Sequence, residues 1–285
     1  MPYSAITYRP SWPLASFVRN VWYYDGYTQP HALERLMPDG MLSLVINLDE
    51  DIVRVYDPCD HSKPDIMRGA VVMGAHQRFF IIDTAEQRHV LGVQFLPGGA
   101  LPFLRMPADE LQGRHVALED IWGPDARQFR ERLLAAPSHH ERCRLMEREL
   151  LERAAGRLEV RREVRFAVHA LESQSGNVAG VIEAAGLSAR RFTELFRTAV
   201  GLTPKAYARV RRFQSTMRAL EGTRCPDWAD IALACGYFDQ SHFNHDFREF
   251  SGINPTQYVA IDKRHMNHVP VTPSQGQDFG PLALR

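Results

Sequence analysis

The chain repeats one pattern, first in VAGVIEAAGLSARRFTELFRTAVGLTPKAY (residues 178–207) and again in WADIALACGYFDQSHFNHDFREFSGINPTQY (residues 228–258). The two copies agree at an offset of 50 up to the first glycine and, after one inserted residue, at an offset of 51. Glycines, phenylalanines, a proline and a tyrosine recurring in one order indicate a duplicated supersecondary unit. The matched pairs are Val178 and Trp228, Val181 and Ile231, Ala184 and Ala234, Ala185 and Cys235, Gly186 and Gly236, Ser188 and Asp239, Phe192 and Phe243, Phe196 and Phe247, Gly201 and Gly252, Pro204 and Pro255, and Tyr207 and Tyr258.

Each copy has the pattern of a short helix, a tight glycine turn and a second helix. An acceptor side chain precedes each predicted helix, where the first backbone N–H groups need a partner. A glycine stands where a helix must stop. This is the layout of a helix-turn-helix unit, whose second helix can lie in a DNA major groove. The predicted caps are Asn177, Ser188, Thr203, Asp227, Asp239 and Asn254, and the stops are Gly186, Gly201, Gly236 and Gly252.

The second helix of each copy has an apolar face for the core and a polar face for the outside. Between residues 190 and 224 there are nine basic residues and two acidic ones, although the formal net charge of the whole chain is zero. Such a local excess favours contact with phosphates, and the alternative is a solvated helix face in an arginine-rich protein. The predicted outward residues are Arg190, Thr193, Glu194 and Arg197 in the first copy and Ser241, Asn244, His245 and Arg248 in the second.

Residues 160–262 resemble the DNA-binding domain of AraC/XylS-type transcription regulators. The resemblance implies seven helices and two helix-turn-helix units, joined by a helix from Lys205 to Leu220, that contact successive major-groove faces of double-stranded DNA. The motifs that carry it are Gly186-Leu187-Ser188, Arg191-Phe192, Leu195-Phe196-Arg197, Gly201-Leu202-Thr203-Pro204 and Tyr207, then Asp230-Ile231-Ala232, Cys235-Gly236-Tyr237, Asp239-Gln240-Ser241-His242-Phe243, Phe247-Arg248, Gly252-Ile253-Asn254-Pro255 and Tyr258.

By this resemblance, the base-reading residues are Arg190, Thr193 and Glu194 in the first unit and Ser241, Asn244 and His245 in the second. Gln240 completes the predicted DNA-binding set, and Arg197 and Arg248 are expected to bind phosphates, which fixes register. An arginine suits guanine, an asparagine suits adenine, and a glutamate can accept from cytosine. Because the second helix also carries Asp239, Asp246 and Glu249, we expect the first unit to provide most of the affinity. The alternative for every one of these residues is a solvated helix position.

The first half of the chain has the composition of strands and turns. Short apolar runs rich in Val, Ile, Phe and Tyr alternate with Pro, Gly and Asp clusters, which indicates an antiparallel barrel or sandwich. Helical spacing follows at 107–112, 124–136 and 138–155. The sequence thus predicts a two-domain α+β fold: a β-rich domain with appended helices (1–155), an all-α DNA-binding domain (160–262) and a flexible tail (263–285). The predicted strands are 18–24, 41–48, 52–56, 70–73, 79–82 and 90–96.

The first domain resembles the N-terminal domain found with a subset of these regulators, through Pro38-Asp39-Gly40, the strand Leu44 to Leu48, Leu91 to Phe95 with Pro97 to Ala100, and Leu118 to Gly123. The resemblance suggests a sensing or dimerising module and names no ligand. A small-molecule effector could occupy a barrel mouth lined by Trp22, Tyr24 or Phe95, although such aromatics are more often core. The alternative is an effector-independent DNA-binding protein whose first domain only dimerises or contacts a partner. A homodimer and contact with RNA polymerase stay open.

Composition excludes other classes of protein. The 285 residues, 45% hydrophobic and 24% charged, suit two globular domains. The four cysteines form no C-x-x-C, and no secretory signal or apolar run of membrane-spanning length occurs, so we expect a cytoplasmic protein without membrane contact.

A metal-dependent enzyme fused to a DNA-binding domain is a less favoured alternative. His76 and His89 lack the spacing of a cupin metal site, and a polar turn accounts better for the cluster from Asp57 to His61. His242 and His245, near Cys235, suit DNA contact better than zinc. Nucleophile elbow, P-loop and dinucleotide fingerprint are missing, so we predict no catalytic residue, metal or cofactor.

Overall fold

The computed structural model describes residues 4–154, 158–173, 177–223 and 225–271. The predicted order, a β-rich N-terminal domain followed by a helical one, is confirmed. The N-terminal part has two antiparallel sheets and is not a closed barrel. Strand residues that alternate towards the interior, such as Leu44, Val72 and Val93, are fully buried and form its core.

Eleven strands lie within the described residues, in sheets of six and five. The larger sheet has the order β1-β2-β9-β4-β7-β10 and the smaller one β11-β3-β8-β5-β6. Five strands were not predicted, because each is only three to five residues long and lacks a continuous apolar run. The strands are β1 (Ser4–Tyr8), β2 (Val18–Asp25), β3 (Leu33–Leu36), β4 (Ser43–Asn47), β5 (Val53–Tyr56), β6 (Pro64–Met67), β7 (Ala70–Met73), β8 (Phe80–Asp83), β9 (His89–Phe95), β10 (His115–Ala117) and β11 (His268–Pro270).

The helices include all three segments that the spacing predicts in the first half, the first of them as the 3₁₀ turn Ala108–Leu111. Seven helices follow residue 160 in the described part of the chain, as the family resemblance implies. None of the helices described is long and apolar enough to span a bilayer. The α-helices are α1 (Leu101–Leu104), α2 (Leu118–Trp122), α3 (Asp125–Ala135), α4 (His139–Arg153), α5 (Arg162–Glu172), α6 (Val178–Ala184), α7 (Ala189–Val200), α8 (Pro204–Leu220), α9 (Trp228–Ala234), α10 (Gln240–Ser251) and α11 (Pro255–Ala260).

The predicted helix boundaries are confirmed by their capping bonds. All six predicted cap side chains accept a hydrogen bond from a backbone N–H in the first turn of their helix. Asn254 and Gln257 form a reciprocal capping box at the start of α11. The four predicted stop glycines all have a positive φ, the conformation that ends a helix and that side chains with a Cβ adopt at a cost.

The helical domain packs directly against the β-rich domain. Gln214, buried on α8, donates from Nε2 to the Pro38 carbonyl at 2.8 Å and to Asn267 Oδ1 at 2.9 Å. Phe79 donates its backbone N–H to the Phe250 carbonyl at 2.9 Å. One continuous apolar core includes residues of both parts. Any movement of one domain relative to the other therefore breaks buried contacts between them.

The region after the helical domain differs from the flexible tail that the composition predicts. Strand β11 pairs antiparallel with β3, and Val269 is fully buried. His268 Nδ1 lies 2.8 Å from a carboxylate oxygen of Glu34, whose side chain is buried. The segment is ordered because it supplies an edge strand and an apolar side chain to the smaller sheet. Residues 272–285 of the predicted tail, and residues 155–157 at the predicted domain boundary, lie outside the described residues.

Candidate nucleic-acid interface

The first helix-turn-helix unit consists of α6, a glycine turn and α7. Ser188 caps α7 by accepting from the backbone N–H of Arg191, and Gly186 turns the chain with a φ of +67°. Phe192 and Phe196 are fully buried and fix the inner face of α7. The opposite face of α7 is therefore presented outwards.

The second unit consists of α9, a glycine turn and α10, with the same construction. Asp227 accepts from two backbone N–H groups of α9, and Asp239 accepts from the N–H of His242. Phe243 and Phe247 are buried at the positions equivalent to the first unit's phenylalanines. The duplication seen in the sequence is thus a duplication of cap, turn, packing face and exposed face.

The structure places the predicted DNA-binding residues on the two outer faces. All nine lie on α7 or α10; eight are exposed and Thr193 is half-buried. Arg190 and Arg248 make no ion pair within the described part of the chain, so their guanidinium groups are available to a ligand. The eight exposed residues are Arg190, Glu194, Arg197, Gln240, Ser241, Asn244, His245 and Arg248.

Two arginines of α7 are engaged by carboxylates. Arg191 Nη1 lies 3.2 Å from Glu194 Oε2 on the same helix. Arg197 Nε lies 3.0 Å from Oδ2 of Asp109, which belongs to the 3₁₀ turn Ala108–Leu111 of the β-rich domain. The residue predicted to bind phosphate at the end of α7 is therefore held by the other domain in this structure.

Arg209 of α8 neutralises the acidic residues of α10. Its Nη2 lies 2.7 Å from Asp246 Oδ1 and 2.7 Å from Glu249 Oε2. Burial opposes the charged form, but the two carboxylates outweigh it and raise the pKa of Arg209. Asp246 and Glu249 thus face α8 and do not repel a phosphate backbone at the outer face. The sequence-based reason for expecting a weaker second unit is therefore reduced to Asp239, which caps α10.

The basic stretch from 190 to 224 is not one surface patch. Arg209 and Arg211 lie against acidic groups inside the protein, with Arg211 Nε 3.5 Å from Glu172 Oε1. Arg211 is buried and also contacts the Asp39 carbonyl of the β-rich domain. Arg224 lies outside the described residues. The local excess of positive charge in the sequence therefore overstates the positive charge on the surface, because Arg209 and Arg211 hold helices or domains together.

Two exposed apolar side chains beside the second unit's turn were missed in the sequence. Leu233 is 72% exposed and Phe238 is 89% exposed. The repeat aligns Leu233 with Glu183. The apolar Leu233 at a position where the other copy is charged was the sequence signal that could have identified it. Their position next to α10 adds an apolar contact surface at the edge of the candidate interface.

One group of possible metal ligands occurs in the described residues, formed by His245, Asp246 and Glu249. Both carboxylates in it already accept from the Arg209 guanidinium. The turn at Asp57 is a local hydrogen-bonded turn, since Asp57 Oδ1 accepts from the N–H groups of Cys59 and Asp60. These arrangements serve packing and chain reversal.

The β-rich domain contains a cavity of about 460 Å³ between its two sheets. Trp22 and Tyr24, two of the three aromatics predicted for a ligand site, line it. The prediction is wrong for the third, Phe95, because its side chain is fully buried in the core and its ring stacks on Phe103. Arg264 to His268, beyond the helical domain, form part of the cavity wall. The cavity therefore lies where both halves of the chain meet.

Comparison with known families assigns two parts of the chain. A profile for a domain of unknown function (DUF6597) matches residues 6–117, and a profile for a helix-turn-helix domain matches residues 181–261, which include the second unit and all but the first three residues of the first. The probable transcriptional regulator LumQ of Photobacterium leiognathi is 32% identical over 82 residues, or 29% of this chain and 33% of LumQ. The chain thus matches about a third of the length of this relative.

Solved structures that align with this chain include structures of ToxT from Vibrio cholerae. ToxT of strain O395 bound to (E)-4-(8-methylnaphthalen-1-yl)but-3-enoic acid aligns over 90% of this chain and 98% of that chain, with 8% identity and a TM-score of 0.45. Wild-type ToxT of strain SCE256 bound to an unsaturated fatty acid aligns over 90% and 94%, with 10% identity and a TM-score of 0.42.

Proposed function

We propose that the chain is an AraC-type, sequence-specific DNA-binding transcription regulator, starting from the match of residues 181–261 to a helix-turn-helix domain profile. The observation that carries the proposal is the pair of capped second helices, α7 and α10, each with a buried phenylalanine face and an exposed polar face. Helix α8 joins the two units, so both faces belong to one rigid reader of two successive major grooves.

Within this proposal, the exposed side chains divide into base readers and phosphate binders. Arg190 lies in the first turn of α7, where a bidentate contact to guanine is geometrically favoured, and Asn244 of α10 suits adenine. Arg248 binds phosphate and so fixes the register of the second unit. Phe238 supplies an apolar contact to a thymine methyl at the edge of the second site.

We further propose that a small molecule in the cavity of the β-rich domain controls the DNA-binding domain. The cavity has the volume of an ordinary ligand site and is lined by residues from both halves of the chain. A ligand there contacts the segment that follows α11, so occupancy can bias the position of the second unit. If the first domain only dimerised, no small molecule would stabilise the protein.

Selection of duplexes from a random pool tests DNA reading directly. We expect the intact protein to enrich a motif of two half-sites about one helical turn apart. Arg190→Ala should relax the base preference at one position of the motif. The preference for guanine over the other bases at that position should fall by about 1 to 3 kcal/mol. Arg248→Ala is the matched control, because it removes the same charge from an exposed arginine that is expected to bind phosphate, and it should weaken binding evenly across sequences. No enrichment by folded protein contradicts the proposal.

The contact between Arg197 and Asp109 leads to a second expectation. Asp109→Asn should increase DNA affinity several-fold and steepen its salt dependence by about one unit of slope, because Arg197 becomes free to bind a phosphate. Glu110→Gln, the control, removes the same charge at the adjacent exposed residue and should change both quantities less. Titrations at several salt concentrations measure both. Equal behaviour of the two variants would show that Asp109 does not compete with DNA.

A further inference from the structure

Two loops of the β-rich domain lie against the C-terminal ends of α7 and α10. The first loop, residues 74–79, connects β7 to β8, and the second, residues 108–114, leads through the 3₁₀ turn into β10. The Gly113 N–H of the second loop donates to the Ala75 carbonyl of the first at 3.1 Å. The two loops therefore form one continuous surface, which we call the loop edge.

The loop edge contacts the last turns of α7. Oδ2 of Asp109 lies 3.0 Å from Nε of Arg197, whose side chain stays 52% exposed, so this ion pair lies at the surface. A Cβ at Gly201, which ends α7, would lie 3.1 Å from the Ala108 carbonyl oxygen. Arg197 is the residue expected to bind phosphate in the first unit. The loop edge therefore begins beside the expected path of the DNA backbone.

The same surface reaches the last turn of α10. The Phe79 N–H donates to the Phe250 carbonyl at 2.9 Å, and Arg78 lines a cleft together with Glu249 of α10. Glu249 follows directly on Arg248, the residue expected to bind phosphate in the second unit. The loop edge thus extends from the expected phosphate-binding turn of one unit to that of the other.

Two arginines of the loop edge are exposed, Arg78 and Arg114. Neither of them makes an ion pair with a residue that the structure describes. Arg114 donates from Nη1 to the Glu110 carbonyl at 3.2 Å, a contact that positions the guanidinium and leaves its charge uncompensated. Both guanidinium groups are therefore available to an anion.

The carboxylates near the loop edge do not cancel this charge. Asp109 and Glu249 are each paired with an arginine of the helical domain. Asp57 and Asp65 lie across the cleft, at the hairpin of β5 and β6, and Asp57 accepts from two N–H groups of its own turn. Glu110 is the exposed acid of the loop edge. Two guanidinium groups against this one carboxylate leave the loop edge positively charged.

A duplex read by α7 and α10 together brings phosphates past this surface. When two helices of one rigid reader occupy successive major grooves, the stretch of backbone between the grooves runs from one helix to the other. The loop edge also runs from one helix to the other. An arginine suits a phosphate there, because its planar fork of N–H donors matches the phosphate oxygens.

Resting on the DNA reading proposed above, we propose that Arg78 and Arg114 of the β-rich domain bind DNA phosphates between the two half-sites. The ligand of the loop edge is thus the phosphodiester backbone of double-stranded DNA. Such contacts add affinity and fix register without reading sequence. They also make DNA affinity depend on the docking of the two domains, since movement of the loop edge carries both arginines away from the duplex.

Salt titrations of the full chain on its selected duplex test this proposal. Arg78→Ala/Arg114→Ala should reduce the slope of log affinity against log salt by about two units and weaken binding at least about tenfold, because two phosphate contacts are lost. The selected motif should stay the same. Unchanged slope and affinity in this double variant overturn the proposal.

The matched control removes the same number of charges from a distant surface. Arg144→Ala/Arg148→Ala changes two exposed arginines of α4, a helix that packs on α1 and α3 of the β-rich domain. It should change the slope by less than about half a unit, because only long-range electrostatics are affected. Equal slopes in the two double variants would show an effect of net charge and overturn the proposal.

Phosphate neutralisation locates the contacts on the duplex. Single uncharged methylphosphonates are placed at successive positions of the selected duplex. Between the half-sites, they should weaken binding of the intact protein at least about threefold and leave Arg78→Ala/Arg114→Ala unaffected, because the arginine partner is already gone. The same pattern of sensitive positions in both proteins contradicts the assignment.

A charge-preserving variant separates phosphate binding from a structural role. Arg78→Lys/Arg114→Lys should recover most of the lost salt dependence, because an ammonium also binds phosphate. If the arginines only shaped the loops, lysine would restore nothing and the proposal would fail.

The duplex selection itself distinguishes failure of this inference from failure of the proposed function. An enriched motif, bound equally well by the intact protein and by Arg78→Ala/Arg114→Ala, overturns the role of the loop edge alone. No enriched motif with folded protein overturns DNA reading, and this inference with it.

Discussion

Arg209→Ala is expected to lower the free energy of unfolding by about 3 kcal/mol, as the loss of one partner from a buried ion pair does. The Asp246 side chain is only 4% exposed, and its Oδ2 has no hydrogen-bond partner even with Arg209 in place. Removing the guanidinium leaves two carboxylates facing each other between α8 and α10. It also removes the guanidinium from above the Phe250 ring, where it lies 5.1 Å from the centroid. Denaturant titration measures the loss.

Under the proposed function, the same substitution should selectively weaken DNA binding by the second helix-turn-helix unit. Without Arg209, the carboxylates of Asp246 and Glu249 lose the positive charge that α8 supplies to α10. Either α10 then shifts away from α8, or its uncompensated negative charge repels a DNA phosphate. Arg212→Ala is the matched control, since Arg212 lies on the same helix and its guanidinium lies over the ring of Tyr237, 5.2 Å from the centroid, with no ion pair to a described residue. Arg212→Ala should lower the free energy of unfolding by less than about 1 kcal/mol. Equal losses in both variants would contradict the role of Arg209 as an internal counter-charge.

Gly252→Ala is the second substitution with a large expected effect. Gly252 ends α10 with a φ of +72°, and a Cβ at this position would lie 2.4 Å from Cε1 of Phe79 in the β-rich domain. The left-handed backbone alone costs about 1 to 2 kcal/mol with a side chain. The ring of Phe79 is buried and must also move, which adds about 1 to 3 kcal/mol of overpacking.

Gly186→Ala separates these two contributions. Gly186 has nearly the same backbone conformation, with a φ of +67°, but a Cβ there would meet no atom within 4 Å. It should therefore show the backbone cost alone. We expect Gly252→Ala to lose at least about twice as much stability and to expose the domain junction to proteolysis. Equal stability losses would show that the Phe79 contact does not hold the domains together.

The helical domain was predictable from the sequence because its signals are local. A cap such as Ser188 bonds within its own helical turn, and a stop such as Gly201 acts through its own φ. The repeat then placed Phe192 and Phe243 on equivalent inner faces. The boundaries, the inner faces and the outer faces of α7 and α10 therefore follow from spacing alone, whereas the roles of the outer residues stay predictions.

Contacts between distant parts of the chain were not predictable in this way. The pairing of Arg197 with Asp109, and of Arg209 with Asp246, depends on which helix faces meet, and local spacing does not encode that. Composition predicts a flexible tail, yet Val269 is buried and pairs with Arg35 in the smaller sheet. The charge count failed for the same reason, because it cannot separate an arginine that faces solvent from one that joins two helices.

Binding to spaced half-sites tests the central claim, that two units on one rigid helix read successive major grooves. The selected duplex is compared with versions carrying 5 or 10 additional base pairs between the half-sites. We expect the 5-base-pair insertion to reduce affinity to that of a single half-site, because it rotates the second half-site to the opposite face of the duplex. Full affinity after the 5-base-pair insertion would contradict simultaneous reading by α7 and α10.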